Sequence, residues 1–401
     1  MIKTIENRLV IKSCRLELHT SDIEEIKSII KQKIDWQYVL QQSIYHGVVG
    51  QVYLNLAKIV PDKIPVDIYE QLRKSYLTIC AIGLQKVGLL PDIANMFQSE
   101  GVEFIVLKGA ELAEDLYGNL GLRPFSDIDF LIREHDWPVV YKQLRHNGYT
   151  PAAGKDFDRV PPKLTRYDVR SHMQWISPNE TLIEFQFDLL TLGIGMRDPD
   201  SVWSRSRKST LYDLRVRKLS PEDQILQMVI HANRHGCNRL KWMVDIAETL
   251  LNKKDIDWGL VKKICETEKV GACFYQTISH IEKTFEQNFL GDEVRTELKP
   301  DIFKKAIWNR TWPLKDLDDF NGRVEDGICF YFYKPLSGWN LVNFLLMGRA
   351  WEKIEYQFRW LFPSISWMSE TYDKPKSLAL LKYYAYRFMN IKSSANDYGA
   401  D

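Results

Sequence analysis

The chain has 401 residues, 54 Lys+Arg against 53 Asp+Glu, 45% hydrophobic residues and 12% aromatic residues. That length leaves room for two to four domains, and the apolar content excludes global disorder. A net charge of +1 excludes a chain held to nucleic acid by phosphate contacts along its whole length, because such binding needs a clear cationic excess.

The six cysteines, Cys14, Cys80, Cys237, Cys265, Cys273 and Cys329, include no C-x-x-C pair. They indicate neither a zinc site nor a disulfide framework. Charged residues at Lys3, Glu6, Arg8 and Lys12 replace the apolar stretch of a signal peptide, and the longest apolar run, 341–347, is far shorter than the ~18 residues of a membrane span. A reduced, cytoplasmic, soluble protein with no membrane span is expected.

From about 36 to 98 the apolar positions recur at helical spacing, with Pro91 and Asp92 opening a new helix that carries Ile93, Met96 and Phe97. At Gly101 the pattern changes. Val102, Phe104, Ile105, Val106 and Leu107 predict a buried strand that enters a tight turn at Lys108 and Gly109, with a helix over 110–117. Ile128, Phe130, Leu131 and Ile132 predict a second strand, followed by a helix over 136–146 and a turn at Asn147 and Gly148. After a polar stretch at 151–164, Ile183, Phe185, Phe187 and Leu189 alternate with Glu184, Gln186 and Asp188, which predicts a strand with one polar face. Ser220, Pro221, Glu222 and Asp223 open another helix with a cap, a proline in the first turn and acids. Thereafter the pattern is helical, with apolar stripes at Trp242, Met243, Ile246, Leu250 and Leu251, and at Leu378, Leu381, Tyr384 and Phe388. The expected organisation is a mainly helical region at 1–95, an α+β core at 96–200 and a helical domain at 201–401.

The chemistry-bearing unit is 102–132. A glycine at a strand-to-helix turn lets phosphate oxygens approach the backbone, and the free N–H groups of the new helix favour an anion. Asp127 and Asp129, two residues apart on a strand, project from one face and can share divalent metals that bridge a triphosphate. Glu184, on the polar face of a later strand, is the expected third carboxylate. The D-x-D pattern alone is weak: Asp156/Asp158, Asp198/Asp200, Asp255/Asp257 and Asp316/Asp318 share it, in polar loops or at helix starts where aspartate serves turns and caps. Only Asp127/Asp129 runs straight into an apolar strand.

The run LKGAELA at 107–113, with Tyr117, Arg123 and SDIDFLI at 126–132, resembles the polymerase-β-type nucleotidyltransferases, specifically a poorly characterised bacterial nucleotidyltransferase family; toxins of abortive-infection systems share a similar pattern. Leu219 to Asp223, His231, Ala232, Arg239, Leu240, Asp245, Ile246 and Ala247 are similar to that family's downstream helical segment, as are Leu361, Phe362, Pro363 and Tyr372 to its C-terminal one. The resemblance implies a polymerase-β-like core, a small mixed sheet with flanking helices. It implies Mg2+ or Mn2+ as cofactor, a nucleoside triphosphate as partner and substrate, and transfer of a nucleoside monophosphate to a hydroxyl-bearing acceptor with loss of pyrophosphate. On that analogy Asp127, Asp129 and Glu184 are catalytic and hold the metals, while Lys108, Gly109, Arg123 and Ser126 bind the nucleotide. Two departures stand out: the superfamily's Gly-Ser turn is Lys108-Gly109 here, and Gln186 stands where the nearer family often has His.

The acceptor is expected to be a small molecule, a sugar or a protein hydroxyl before a nucleic acid. The rival readings are a catalytically decayed nucleotide-binding scaffold, which retention of all three acids opposes, and a toxin-like enzyme acting on RNA or protein. Arg123 also suits a structural partner for Asp127 or Asp129. His231 suits a core histidine, Asp245 a pairing with Lys241 one turn away, His172 an edge-strand position, and the aromatic-basic run at 382–388 helix packing.

Overall fold

Apolar residues at every second position need a sheet with one covered face, and the centre of this chain supplies it. The structure, a computed structural model, describes residues 4–152, 172–190, 196, 198–253 and 255–299. Among the described residues there are seven strands, β1 (Phe104–Leu107), β2 (Asp127–Ile132), β3 (Thr150–Pro151), β4 (His172–Ile176), β5 (Leu182–Gln186), β6 (Arg207–Leu211) and β7 (Leu214–Lys218). They form one mixed sheet in the order β3-β4-β5-β2-β1-β7-β6. β2 runs antiparallel to β1 and parallel to β5, and β1 runs parallel to β7. The class is α+β, as expected.

Six helices precede the sheet: α1 (Ile5–Ser13), α2 (Thr20–Ile29), α3 (Trp36–Tyr45), α4 (Val49–Ile59), α5 (Val66–Val87) and α6 (Leu90–Gln98). α7 (Gly109–Asp115) follows β1, α8 (Trp137–His146) follows β2, and α9 (Asp200–Arg205) precedes β6. α10 (Pro221–Arg234), α11 (Leu240–Asn252), α12 (Trp258–Glu268), α13 (Gly271–Phe285) and α14 (Asp292–Leu298) complete the described chain. Local chemistry fixes several of these starts. Pro91 sits in the first turn of α6, and Ser220 caps α10 by accepting from the Asp223 N–H at 3.2 Å.

One face of the sheet carries the aromatic core. Phe130 of β2 lies opposite Phe185 of β5, their rings stacked with centroids 5.6 Å apart. Phe97 from α6 packs edge-on against both rings and Trp137 from α8 tilts against Phe185, all fully buried. Because side chains alternate, the neighbours of these rings, Asp129 and Glu184, point to the other face.

The β6–β7 hairpin was not foreseen. Its two turn residues, Tyr212 and Asp213, have φ of 48° and 61°, the double left-handed geometry that matches strand twist. The usual Asn-Gly signal is absent, so the turn is hard to see in sequence, and the hairpin carries the sheet past residue 200. One helical stretch, 66–98, is long and apolar enough by length and composition to cross a membrane, where none was expected. The stretch is divided between α5 and α6, and its Ile68, Leu72, Val87, Ile93 and Phe97 are buried. The C-terminal stripe, the 341–347 and 382–388 runs, Cys329, Tyr372, 361–363 and the Asp156/Asp158 and Asp316/Asp318 pairs lie outside the described residues.

Candidate metal and nucleotide site

Strand register assembles the acids. In the parallel β2–β5 pair Asp129 stands opposite Glu184, while across β1 Asp129 stands opposite Leu107 and across β4 Glu184 stands opposite Gln174. Asp127 lies two residues before Asp129 and so shares its face. Carboxylate oxygens of Asp127, Asp129 and Glu184 all fall within 4.8 Å of one another. The third acid foreseen from the alternating strand is therefore brought to the pair.

Such crowding is unfavourable without a cation. Burial raises the Asp127 carboxyl above the ordinary carboxylate range, and the Asp129 charge raises it further against the pull of Lys108 and Lys241. Asp129, 5% exposed, is raised by burial; Lys108 lowers it and Glu184 raises it again. Lys108 Nζ bonds Asp129 Oδ1 at 3.0 Å, and Gln186 Nε2 donates to the same oxygen at 2.7 Å. Gln174 Nε2 donates to Glu184 Oε1 and Ser126 Oγ to Asp127 Oδ1, the latter at 3.3 Å. A divalent cation suits this donor set: hard oxygen ligands of one charge sign, with an ammonium already drawn onto one of them.

Lys108 joins β1 to α7 with φ 54° and ψ −113°, a left-handed setting that a residue with a Cβ adopts only under restraint. Gly109 has a different reason to be glycine than the one the sequence suggested. A Cβ there would lie 2.5 Å from Phe125 Cβ, so the close approach is made by the protein itself. Gly109 is buried at the start of α7.

Arg123 is not bonded to either paired aspartate. It is 4% exposed, and its Nε lies 2.8 Å from both carboxylate oxygens of Asp245, whose Oδ1 also accepts from Tyr117 Oη at 2.7 Å. Asp245 thus pairs with Arg123 and not, as its helical spacing suggested, with Lys241. The cations that sequence reasoning missed are Lys86 and Lys241. Lys86 Nζ bonds Phe125 O at 2.7 Å and Lys241 Nζ bonds Pro124 O at 3.4 Å, which holds both on the loop leading into Asp127. Asp127's charge acts on each. No local pattern marks them, since α5 and α11 reach the loop only in the folded chain.

His231 packs against His235, tilted, and Trp242, edge-on, with ring centroids 4.6 and 5.2 Å away. His172 occupies β4 opposite Gln186. Of the other D-x-D pairs, Asp257 caps α12, its Oδ1 accepting from Leu260 N at 3.0 Å, and Asp198 Oδ1, just before α9, accepts from Ser201 N at 3.3 Å.

A family model described as an uncharacterised nucleotidyltransferase matches residues 32–286, more than half of the chain and all three acids. Among solved structures, the chain is similar to an antigenic nucleotidyltransferase-like protein from Paracoccidioides brasiliensis, at 13% identity and a TM-score of 0.31, over 55% of this chain and 95% of that one. No curated protein matches.

Proposed function

The chain belongs to the uncharacterised nucleotidyltransferase family, and on that premise we propose that it is a metal-dependent enzyme that transfers a nucleoside monophosphate from a nucleoside triphosphate to a hydroxyl-bearing acceptor, releasing pyrophosphate. The single observation that carries this reading is the convergence of Asp127, Asp129 and Glu184 within 4.8 Å.

In this reading Asp127 and Asp129 would hold Mg2+ or Mn2+ jointly, and Glu184 would complete the site. The bound metal supplies charge neutralisation at the phosphates and a lowered pKa at the attacking hydroxyl. Everything else is done by the chain. Gln186 fixes the orientation of Asp129 through its 2.7 Å bond, so the carboxylate keeps one rotamer while its other oxygen stays free for metal. Gln174 does the same for Glu184 from the neighbouring strand. Lys108 relieves the crowded acids in the absence of metal, and its ammonium, if a metal displaced it from Asp129, would be available to neutralise a phosphate. Ser126 offers a hydroxyl beside Asp127. Arg123 acts through Asp245 and Tyr117 as a buried brace for the loop that delivers Asp127, in place of the direct phosphate contact the family resemblance implied.

The acceptor class is proposed as a small molecule, a sugar or a protein hydroxyl. Incubation with each α-labelled nucleoside triphosphate, Mg2+ and a cell extract tests the reading: label is expected in one acceptor class with wild-type protein and in none with Asp127→Asn plus Asp129→Asn. Equal labelling by the two proteins would remove the acids from the chemistry.

A further inference from the structure

Asp127 is the least constrained of the three acids. Among the described residues it pairs, as the first residue of β2, with Leu182 of β5 and with nothing on its β1 side, whereas Asp129 has register partners on both sides, Leu107 and Glu184. The Asp129 carboxylate is also held by Lys108 at 3.0 Å and Gln186 at 2.7 Å, against one 3.3 Å bond from the Ser126 hydroxyl to Asp127. Where Asp127 sits is therefore decided by the segment that leads into it, 119–126.

That segment runs along one face of α5. Tyr76 Oη accepts from Asn119 Nδ2 at 2.9 Å, Gly83 lies against Leu120, and Lys86 Nζ donates to Phe125 O at 2.7 Å. A Cβ on Gly121 would lie 2.5 Å from Cys80 Sγ, so the segment is pressed onto the helix with no room for a side chain there. Residues 76, 80, 83 and 86 recur every three or four positions, the spacing of a single helix face. Lys86 makes the last of these contacts, two residues before Asp127. Burial pushes its ammonium below the ordinary lysine range, the charge of Asp127 pulls it back, and among the described residues no carboxylate lies within 4.0 Å of it. Its bond is to backbone, with the Phe125 ring centroid 5.7 Å away. Phe125 also abuts Gly109, so its position is felt at the Lys108 turn and at Asp127 alike.

We propose that Lys86 is a positioning residue: by holding the Phe125 carbonyl from α5, it sets where the chain enters β2 and hence where the Asp127 carboxylate stands relative to Asp129 and Glu184. It acts through the backbone of 125–127 and is not itself a ligand. A lysine on a helix outside the sheet thereby takes the part for Asp127 that Gln186 takes for Asp129 within it. The hold on the segment stands on geometry alone, and its consequence for a metal rests on the reading of the three acids as ligands. Groups that orient a metal ligand without binding the metal change affinity by about ten- to a hundredfold when removed.

The test compares wild type with Lys86→Met, which keeps an apolar stem and loses the ammonium, and with Lys86→Arg, which restores a cationic donor. In metal-free buffer, amide hydrogen exchange over 119–127 is expected to be about ten- to a hundredfold faster in Lys86→Met, the worth of one charged hydrogen bond. Exchange in α10 and α13 stays unchanged, and Lys86→Arg behaves as wild type. Calorimetric titration with Mn2+ is expected to show affinity weakened about ten- to a hundredfold in Lys86→Met and recovered in Lys86→Arg, while Asp127→Asn plus Asp129→Asn binds none. Thermal melts report whether each variant is folded, and the neutral Lys86→Gln replaces Lys86→Met if that protein is not. Unchanged exchange over 119–127 in the neutral variant overturns the hold, and faster exchange with undiminished Mn2+ affinity overturns the positioning role. A wild-type protein that binds no Mn2+ removes the metal reading and the positioning role together, a trace distinct from failure of Lys86 alone, in which wild type and neutral variant bind Mn2+ equally.

Discussion

Lys108 Nζ rests 3.0 Å from Asp129 Oδ1, so an ammonium from the strand–helix turn occupies a carboxylate that a metal is proposed to need. The contact offsets part of the repulsion among three acids and makes metal uptake an exchange of cations rather than an addition. Lys108 holds this place from a left-handed backbone setting.

Replacing that residue separates backbone from charge. Lys108→Gly relieves the positive φ and Lys108→Ala does not, so the glycine variant is expected to be more stable than the alanine variant by about 1–2 kcal/mol in urea melts. Equal stabilities would mean that the turn relaxes when the side chain is removed.

Metal linkage follows from the crowding of the acids. Mg2+ or Mn2+ plus nucleotide is expected to raise the melting temperature by mass action, by an amount that grows with ligand concentration. Asp127→Asn together with Asp129→Asn abolishes the shift; a shift of wild-type size in that double variant would place the ligands elsewhere.

Glu184 divides binding from turnover. Glu184→Gln keeps the bond from Gln174 feasible and leaves both aspartates, so nucleotide affinity is expected to change little while turnover falls by orders of magnitude. Single-turnover measurement with labelled triphosphate tests this, and near-normal rates would reduce Glu184 to a polar strand residue.

The Arg123–Asp245 pair is expected to behave as a buried brace. Asp245→Asn or Arg123→Met each leaves an uncompensated polar or charged group at 5% exposure or less and should cost about 3–5 kcal/mol in equilibrium unfolding. The double variant is expected to cost clearly less than the sum of the single ones, and simple additivity would show that the two side chains do not interact.

Glu111, on α7, gives a pH signature. Burial, before any neighbour's charge, pushes its carboxyl from 4.5 to about 7, and Gln224 Nε2 donates to it at 2.6 Å. A carboxyl raised in the folded state binds protons there that the unfolded chain has released, so its contribution to stability falls as pH climbs from about 4.5 to about 7 and is flat above. Glu111→Gln is expected to flatten this slope and to gain up to about 3 kcal/mol relative to wild type at pH 8. Parallel stability–pH curves for the two proteins would contradict it.

The alternation of Ile183, Phe185 and their polar neighbours, the D-x-D leading into an apolar strand, and the Ser220-Pro221 helix start are local signals, and they gave the α+β class, the strands at β1, β2 and β5 and the three acids. Local periodicity suffices there because a strand's two faces and a helix cap are properties of a few consecutive residues. What the tertiary structure alone decided is pairing across distance. The parallel register that sets Asp129 opposite Glu184, the choice of Asp245 by Arg123, the need for glycine at 109 against Phe125, and the arrival of Lys86 and Lys241 on the loop before Asp127 join segments separated by up to about 120 residues. Charge and burial at such sites come from neighbours that no window of sequence contains. For that reason the acids of this protein are legible in its sequence, while the cations that serve them emerge only when α5 and α11 close on the loop before β2.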